Sequence, residues 1–191
     1  MIKAILAIDE SNAIGWSDGR LPWQIPIDMK RFKELTTGHT VLMGFNTFKS
    51  LNRPQGLPNR KNLVLTRKPW SEARDFIKGD VDVISSLNWV TQPIEKDGVT
   101  TTRFANEDLW IIGGSQVYTK AIEQNIIDEL HITLVHESSG ADVKLKDELY
   151  YWKLFMIRQR SKGINWVLEW FCCPNVEAPS PRIAIIVLRK Q

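Results

Sequence analysis

VLMGFNTFKSLNRPQGLPNRKNLVLTR, residues 41–67, is the stretch from which the fold is read. Thr40 to Met43 has the length and composition of a short buried strand, and Asn46 to Leu51 follows with helical spacing. The turn-rich run from Asn52 to Arg60 comes next, and Asn62 to Thr66 is strand-like again. The same alternation recurs on either side. Further strands are predicted at Ile2 to Ile8, Val81 to Ser85, Leu109 to Ile112 and Leu130 to Val135, with helices at Asp28 to Thr36 and Ser115 to Gln124. Short apolar runs that alternate with helical stretches indicate an α/β fold, a single domain with a predominantly parallel, twisted central sheet flanked by helices. Ser86 to Asp108 receives no assignment, because Pro93 and the stretch from Gly98 to Thr102 interrupt any helix starting near Leu87.

Near the carboxyl end, Leu154 to Arg160 and Asn165 to Cys173 flank Lys162-Gly163. The second run alternates Trp166, Leu168 and Trp170 with Val167, Glu169 and Phe171, the signal of an antiparallel C-terminal hairpin. The expected division is therefore a domain over residues 1–173 and a C-terminal extension, 174–191. The extension's Arg182 to Lys190 core is strand-like; an added edge strand packed on its own domain is the first expectation and an oligomer contact the second.

With 191 residues, 43% hydrophobic and 25% charged, the chain has the balance of one well-cored soluble domain. No apolar run reaches the roughly 18–20 residues of a membrane span, and MIKAILAIDE carries charge too early for a secretory signal, so the expected location is cytoplasmic with no membrane partner. The net charge is +3, but the 25 basic residues form no tail or nucleic-acid module, which favours small anionic ligands over nucleic acid. Adjacent Cys172 and Cys173 suit neither a structural disulfide nor a spaced zinc set. His39, His131 and His136 lack metal-ligand spacing and are assigned structural or surface roles; no metal is expected. The absence of a Walker loop, GxGxxG or nucleophile elbow disfavours ATP hydrolysis and acyl transfer.

Three features carry chemistry. In LPWQIPIDMKRFKELT, residues 21–36, Met29, Phe32 and Leu35 share helical spacing, and Asp28 projects from the first turn toward the face to be buried. Such an acid either satisfies loose backbone donors or does chemistry. Ala13 to Leu21 has glycines bracketing a polar loop with apolar ends, the composition of a mobile lid or of an ordinary surface loop. Gly113-Gly114 followed by Ser115-Gln116-Val117 is either a tight turn or a strand end and helix start whose amides approach a diphosphate.

These segments resemble the dihydrofolate reductases. Residues 21–36 resemble the family's substrate-site loop and first helix, where a Pro-Trp pair precedes the acid of the pterin pocket. Residues 41–67 are similar to its next strand, phosphate-binding helix, substrate-gripping loop and following strand. WIIGGSQVY, residues 110–118, is similar to the strand, double glycine and helix start that meet the cofactor. The blocks keep the family's order and spacing over about residues 1–173, and the closing hairpin matches its antiparallel strands.

The resemblance implies hydride transfer from NADPH to 7,8-dihydrofolate, yielding 5,6,7,8-tetrahydrofolate for one-carbon and thymidylate metabolism. Asp28 would anchor the pterin, with Thr133 fixing it through water; Leu21 and Ile14 would cover the nicotinamide, and Ala7 would offer backbone atoms to its carboxamide. Tyr118 would stand beside the nicotinamide, and Asp28, Leu21 and Tyr118 form the implied catalytic set. Ile5, Phe32, Ser50, Leu51, Leu57 and Ile112 would line the substrate groove, and Arg60 would clamp the glutamyl carboxylate. Gly44, Phe45, Asn46 and Thr47 would cradle phosphate opposite Gly113, Gly114, Ser115, Gln116 and Val117. Phe45 stands where many bacterial relatives carry a basic residue, so the 2'-phosphate falls to Thr66 and Arg67. Gln55-Gly56 is added to the shorter family loop, and Asn59 replaces its usual glycine. Antifolate inhibitors would share the groove, and the chain is expected to be a monomer, with association through the extension as the alternative. Competing functions are the pyrimidine reductase of riboflavin synthesis, against which Asp28 and Arg60 speak, and a non-catalytic ligand-binding or assembly protein, for which the extension speaks.

Overall fold

Strands buried on both faces read as near-continuous apolar runs, and IKAILAI near the amino end is one. In a computed structural model of the chain, describing residues 1–96, 98–146, 148–172 and 182–191, this run lies in β1 (Ile2–Asp9). The chain continues through β2 (Ala13–Gly15), α1 (Pro26–Thr36), β3 (Thr40–Gly44), α2 (Phe45–Ser50), β4 (Lys61–Leu65), α3 (Trp70–Ala73) and β5 (Val81–Ile84). Next come α4 (Asn88–Thr91), β6 (Ile94–Lys96), β7 (Val99–Thr101), β8 (Leu109–Gly113), α5 (Ser115–Glu123) and β9 (Glu129–Val135). The last elements are β10 (Val143–Lys144), α6 (Trp152–Arg160), β11 (Trp166–Cys172) and β12 (Ile183–Lys190).

The central sheet has eight strands in the order β11-β12-β9-β1-β8-β3-β4-β5. Its pairs from β9 to β5 are parallel, and β12 runs antiparallel to both β9 and β11. Alternation along β1 assigns the two faces. Ala4, Leu6 and Ile8 join a core with Leu42, Ile111 and the α5 residues Val117, Tyr118, Ala121 and Ile122. Ile5 points the other way, into a core with Val41, Met43, Phe48, Val64 and Trp110, against which Phe32 and Leu35 of α1 pack.

The predicted sheet and helices are found with ends displaced by a residue or two. Proline at the first turn starts α1 at Pro26, before Asp28. The unassigned stretch from Ser86 to Asp108 holds α4 and the antiparallel pair β6–β7, with Gly98 at φ +75 beside the turn.

Two expectations near the carboxyl end are corrected. Residues 154–160 belong to α6, which buries Phe155 and Gln159, so they are not the first arm of a hairpin. The antiparallel hairpin exists with different arms, β11 and β12. Secondly, the strand expected at an edge lies inside the sheet between β9 and β11, leaving β11 at the rim. The reason is burial on both faces: Ile183 through Leu188 are all buried, which an edge position does not provide. The proposed boundary at Cys173 and the residues on to 181 lie outside the described residues.

A chain stopped after Cys173 lacks β12. Each buried aliphatic side chain contributes about 1.5–3 kcal/mol, so losing Ile183, Ile185, Ile186, Val187 and Leu188 removes an amount comparable to the ~5–15 kcal/mol net stability of a domain. The truncated protein is expected to show no cooperative thermal transition by circular dichroism. A native-like spectrum with a sharp melt would contradict this placement of β12.

Candidate active site

Rigid residues set the entry of α1. Ile25 is buried with Val135, Ile183 and Ile185, and Trp23 and Ala7 pack on the same cluster, so the loop between Pro22 and Pro26 is fastened to β9 and β12. From there the first turn delivers Asp28 to β9, where the fully buried Thr133 Oγ1 donates to Asp28 Oδ1 at 2.5 Å. Thr133 sits opposite Ala7 in the β1–β9 register. Burial raises the Asp28 carboxyl above its ordinary range, and the opposing effects of the Thr133 hydrogen bond and the Arg31 charge only partly offset it.

Five of the expected substrate-site residues share one apolar cluster, to which α1 contributes. Ile5 lies in one apolar cluster to which Phe32, Leu51, Leu57 and Ile112 add partly buried surface. At the far end of α1, Arg60 donates from Nε to Thr36 Oγ1 at 2.9 Å, from Nη1 to the Pro58 carbonyl at 2.7 Å and from Nη2 to the Lys33 carbonyl at 3.3 Å. Its guanidinium carbon is 5.8 Å from the Phe32 ring centroid. Since a helix rises ~1.5 Å per residue, Asp28 and Thr36 are about 12 Å apart along the axis, which separates a carboxylate and a guanidinium by an apolar wall. The inserted Gln55-Gly56 is accommodated by conformation. Gly56 has φ +75, and a Cβ there would lie 2.4 Å from Asn62 Cγ. The Asn62 side chain in turn accepts from Leu57 N and donates to the Leu57 and Arg60 carbonyls. Asn59 takes φ 58, a left-handed geometry that asparagine tolerates where glycine was expected.

Across the sheet the two glycine-led helix starts meet. A Cβ on Gly114 would stand 3.0 Å from Thr47 Oγ1, and one on Gly44 would stand 3.1 Å from Val117 Cγ2. Gly113 has φ +129, and Gly114 is the N-terminal cap of α5. Ser115 is half-buried and Gln116 exposed in its first turn, as Asn46 is exposed beside half-buried Thr47 in α2. Tyr118 is buried and donates its hydroxyl to the Ile5 carbonyl at 2.7 Å; burial, then the Asp28 charge, raises its phenol far above the ordinary value. Phe45 is buried edge-on against Phe76, so its side chain serves packing. Thr66 is buried, with its Oγ1 accepting from Lys68 N at 3.0 Å, while the adjacent Arg67 is exposed.

The loop from Ala13 to Leu21 is pinned at several points. Asp9, wholly buried, accepts through Oδ1 from Ser11 N, Ser11 Oγ and Ala13 N, and through Oδ2 from Ser139 N and Oγ. Burial alone would raise the Asp9 carboxyl, but these donors hold it below its ordinary value. β2 pairs with β10, and Ser17 N donates to Asp142 Oδ1 at 2.8 Å. Gly19, at φ +90, lies so close to α2 that a Cβ would fall 2.3 Å from Ser50 Cβ, while Ser50 Oγ donates to the Thr47 carbonyl. Ile14 packs on the main core, whereas Leu21 is 63% exposed.

The family model described as dihydrofolate reductase matches residues 1–164. The dihydrofolate reductase of Bacillus subtilis (strain 168) is 37% identical over 163 residues, covering 85% of this chain and 86% of the relative. The dihydrofolate reductase type 3 of Salmonella typhimurium is 34% identical over 149 residues, covering 78% and 80%. A solved dihydrofolate reductase from Enterococcus faecalis complexed with NADP(H) and RAB-propyl superposes with a TM-score of 0.74 at 26% identity, covering 100% of this chain and 96% of that one.

Sequence reasoning passed over several residues. Asp9 is one, and Trp23, noted only within the Pro-Trp pair, was given no site role although its Nε1 is buried without a hydrogen-bond partner among the described residues. A third omission is the polar group behind Asp28. Arg31 Nη2 meets His131 Nδ1 at 2.5 Å, and His131 Nε2 is hydrogen-bonded to Glu129 Oε1. Because a guanidinium only donates, His131 Nδ1 is the acceptor and the proton of the neutral imidazole is on Nε2, donated to Glu129. The spacing of Glu129, His131 and Thr133, two apart on a strand, was the available signal. The other histidines have local roles, His39 Nδ1 accepting from Asp108 N and His136 Nδ1 bonding the Tyr150 hydroxyl.

Burial, opposed by the Glu129 hydrogen bond and reinforced by the Arg31 charge, lowers His131 to about 4. In the unfolded chain it titrates near the ordinary histidine value of 6.5. Between these values the unfolded state binds the extra proton, so stability rises with pH across that window and levels off above it. His131→Gln is expected to flatten this rise by on the order of 2 kcal/mol between pH 4 and 7, read from urea midpoints. An unchanged slope would show that His131 is not held neutral.

Proposed function

The chain belongs to the dihydrofolate reductase family, and from that premise we propose that Asp28 is the pterin anchor and that the partly buried apolar side chains near it line the substrate groove. The protein is an oxidoreductase that reduces 7,8-dihydrofolate to 5,6,7,8-tetrahydrofolate with NADPH, a product that serves one-carbon and thymidylate metabolism. The observation that supports the residue assignment is the Asp28–Thr133 contact on one helix with partly buried Phe32, against whose ring Arg60 lies.

NADPH supplies the hydride for pterin C6. The chain's part is to orient, exclude water and favour the protonated imine. Asp28 accepts from the pterin amino group and neighbouring ring nitrogen, and Thr133 fixes the carboxylate's rotamer. An acid at that edge is badly placed to hand a proton to N5, so the proton arrives through water and Asp28 acts electrostatically. Ile5, Phe32, Leu51, Leu57 and Ile112 wall the rings, Ser50 closes the groove beside Gly19, and Arg60 receives the glutamyl carboxylate.

The glycine contacts fit a dinucleotide, since side chains at Gly44 or Gly114 would crowd Val117 and Thr47 where the backbone must approach phosphate. We assign the diphosphate to the backbone of Gly113, Gly114, Ser115, Gln116 and Val117 and of Gly44, Phe45, Asn46 and Thr47. Thr66 and Arg67 take the 2'-phosphate, and Ala7, Ile14, Leu21 and Tyr118 surround the nicotinamide. The functional unit is residues 1–173 together with the strand supplied by 174–191, working as a cytoplasmic monomer that also takes antifolate inhibitors.

Asp28→Asn should melt like the parent but lose at least about tenfold in kcat/KM at pH 7, because each charge-assisted hydrogen bond is worth ~1.5–3 kcal/mol. Part of the loss should return in acid, where the substrate protonates unaided. Near-parental rates of dihydrofolate-dependent NADPH oxidation at pH 7 would remove Asp28 from this role, and oxidation with a ribosylated pyrimidine instead would replace the substrate. Arg67→Ala is expected to raise the KM for NADPH but not for NADH; equal effects on both would show that Arg67 does not read the 2'-phosphate.

A further inference from the structure

We propose that Arg31 is a positioning residue for Asp28: fastened to His131 on β9 and lying against Trp170 on β11, it locks α1 to the sheet and holds a positive charge one helical turn from the pterin acid. This rests on the assignment of Asp28 as the pterin anchor.

Asp28 and Arg31 share a face of α1, and Thr133 and His131 share a face of β9. The contacts Asp28–Thr133 and Arg31–His131 are therefore successive rungs between one helix and one strand. Phe32 and Leu35 seat the helix on the core, and the two rungs add a polar constraint on its roll and axial position. The second rung is itself braced. Glu129, which accepts from His131, also accepts from Arg189 Nε at 2.8 Å and Nη2 at 2.5 Å on β12, and lies 3.7 Å from Lys3 Nζ on β1. The Arg31 guanidinium carbon is 5.7 Å from the Trp170 ring centroid.

Packing alone is a poor reason for a guanidinium here. Arg31 Nη1 is buried without a hydrogen-bond partner among the described residues, a desolvation that an apolar side chain of similar length would avoid. What the arginine adds is charge. Its neighbours are Asp28 on its own helix, His131 and Glu129 on β9 with Lys3 behind them, and Cys172 and Trp170 on β11. Asp28 faces Arg31, Thr133 and the Tyr118 phenol of α5. His131 stays neutral down to about pH 4, so Arg31 is the fixed positive charge that faces the Asp28 carboxyl.

The test uses the full-length chain. Arg31→Met keeps an aliphatic stem and removes the charge; Arg31→Lys restores it. The readouts are the 13C titration of the Asp28 carboxyl and the pH profile of kcat/KM for dihydrofolate, with thermal melts as the folding control. Arg31→Met should move the Asp28 midpoint up by about one pH unit, the effect of losing a neighbouring opposite charge. The rate profile should move with it, and KM should rise for dihydrofolate but not for NADPH. Arg31→Lys should recover most of that shift. A folded Arg31→Met with an unmoved midpoint overturns the inference, and so does Arg31→Lys displaced by a full unit, which remains decisive should the methionine variant fail to fold. Full turnover in Asp28→Asn would instead defeat the anchor assignment, so the two failures are distinct.

Discussion

A strand with no exposed residue must find an internal partner for every polar side chain it carries, and β9 carries Glu129, His131 and Thr133 on one face. That constraint organises much of the molecule. Thr133 turns to Asp28, His131 to Arg31 and Glu129, and Glu129 to Arg189 and Lys3. The first two partners fix α1, and therefore the groove. Arg189 ties in β12, so the strand that completes the sheet and the helix that carries the acid are both held by the polar face of β9.

The position of the site follows from the parallel strands. Gly44 closes β3, Gly113 closes β8, Ala7 lies late in β1 and Thr133 lies beside it in β9. All four are near the carboxyl ends of neighbouring parallel strands, where crossover connections diverge and leave a crevice. At two of those ends the sequence removes side chains, which lets Gly114 lie close to Thr47 of α2 and Gly44 close to Val117 of α5. Close approach there comes from backbone packing, whereas Asp28 is placed by a side-chain hydrogen bond from Thr133.

Much of this was readable from local patterns. The strands of β1, β3, β4, β8 and β9 announce themselves as apolar runs, and Pro26 marks where α1 begins. Other parts depend on long-range choices that local patterns do not encode. Leu154 to Ile157 is an unbroken apolar run without a period, and α6 was therefore mistaken for a strand. Ile183 to Leu188 reads as a strand, but its place between β9 and β11 depends on partners far away in the chain. Asp28, Arg60 and the glycine pair were visible as a site only through their resemblance to a family. The pairing of Arg31 with His131 was not legible because it joins residues 100 apart in sequence. Histidine spacing was weighed only for metal binding, and the strand-face register with Glu129 was not used.

Placing an acid at the head of an apolar groove has an energetic consequence that bears on ligand choice. Burial acts on Asp28 more strongly than Thr133 and Arg31 together oppose it, so the carboxyl remains harder to ionise than in water. A ligand presenting two N–H donors in the plane of a flat ring reverses that balance, since each charge-assisted bond is worth about 1.5–3 kcal/mol and both form where water is excluded. A ring of the same size without the donors gains the apolar contacts yet leaves the acid buried and unmatched, and polar groups left unpaired discriminate far more strongly than a missing methylene. On the proposed assignment of Asp28 as the pterin anchor, selectivity for that edge arises from the same burial that makes the acid difficult to charge, and the arginine one turn along the helix limits how far that difficulty goes.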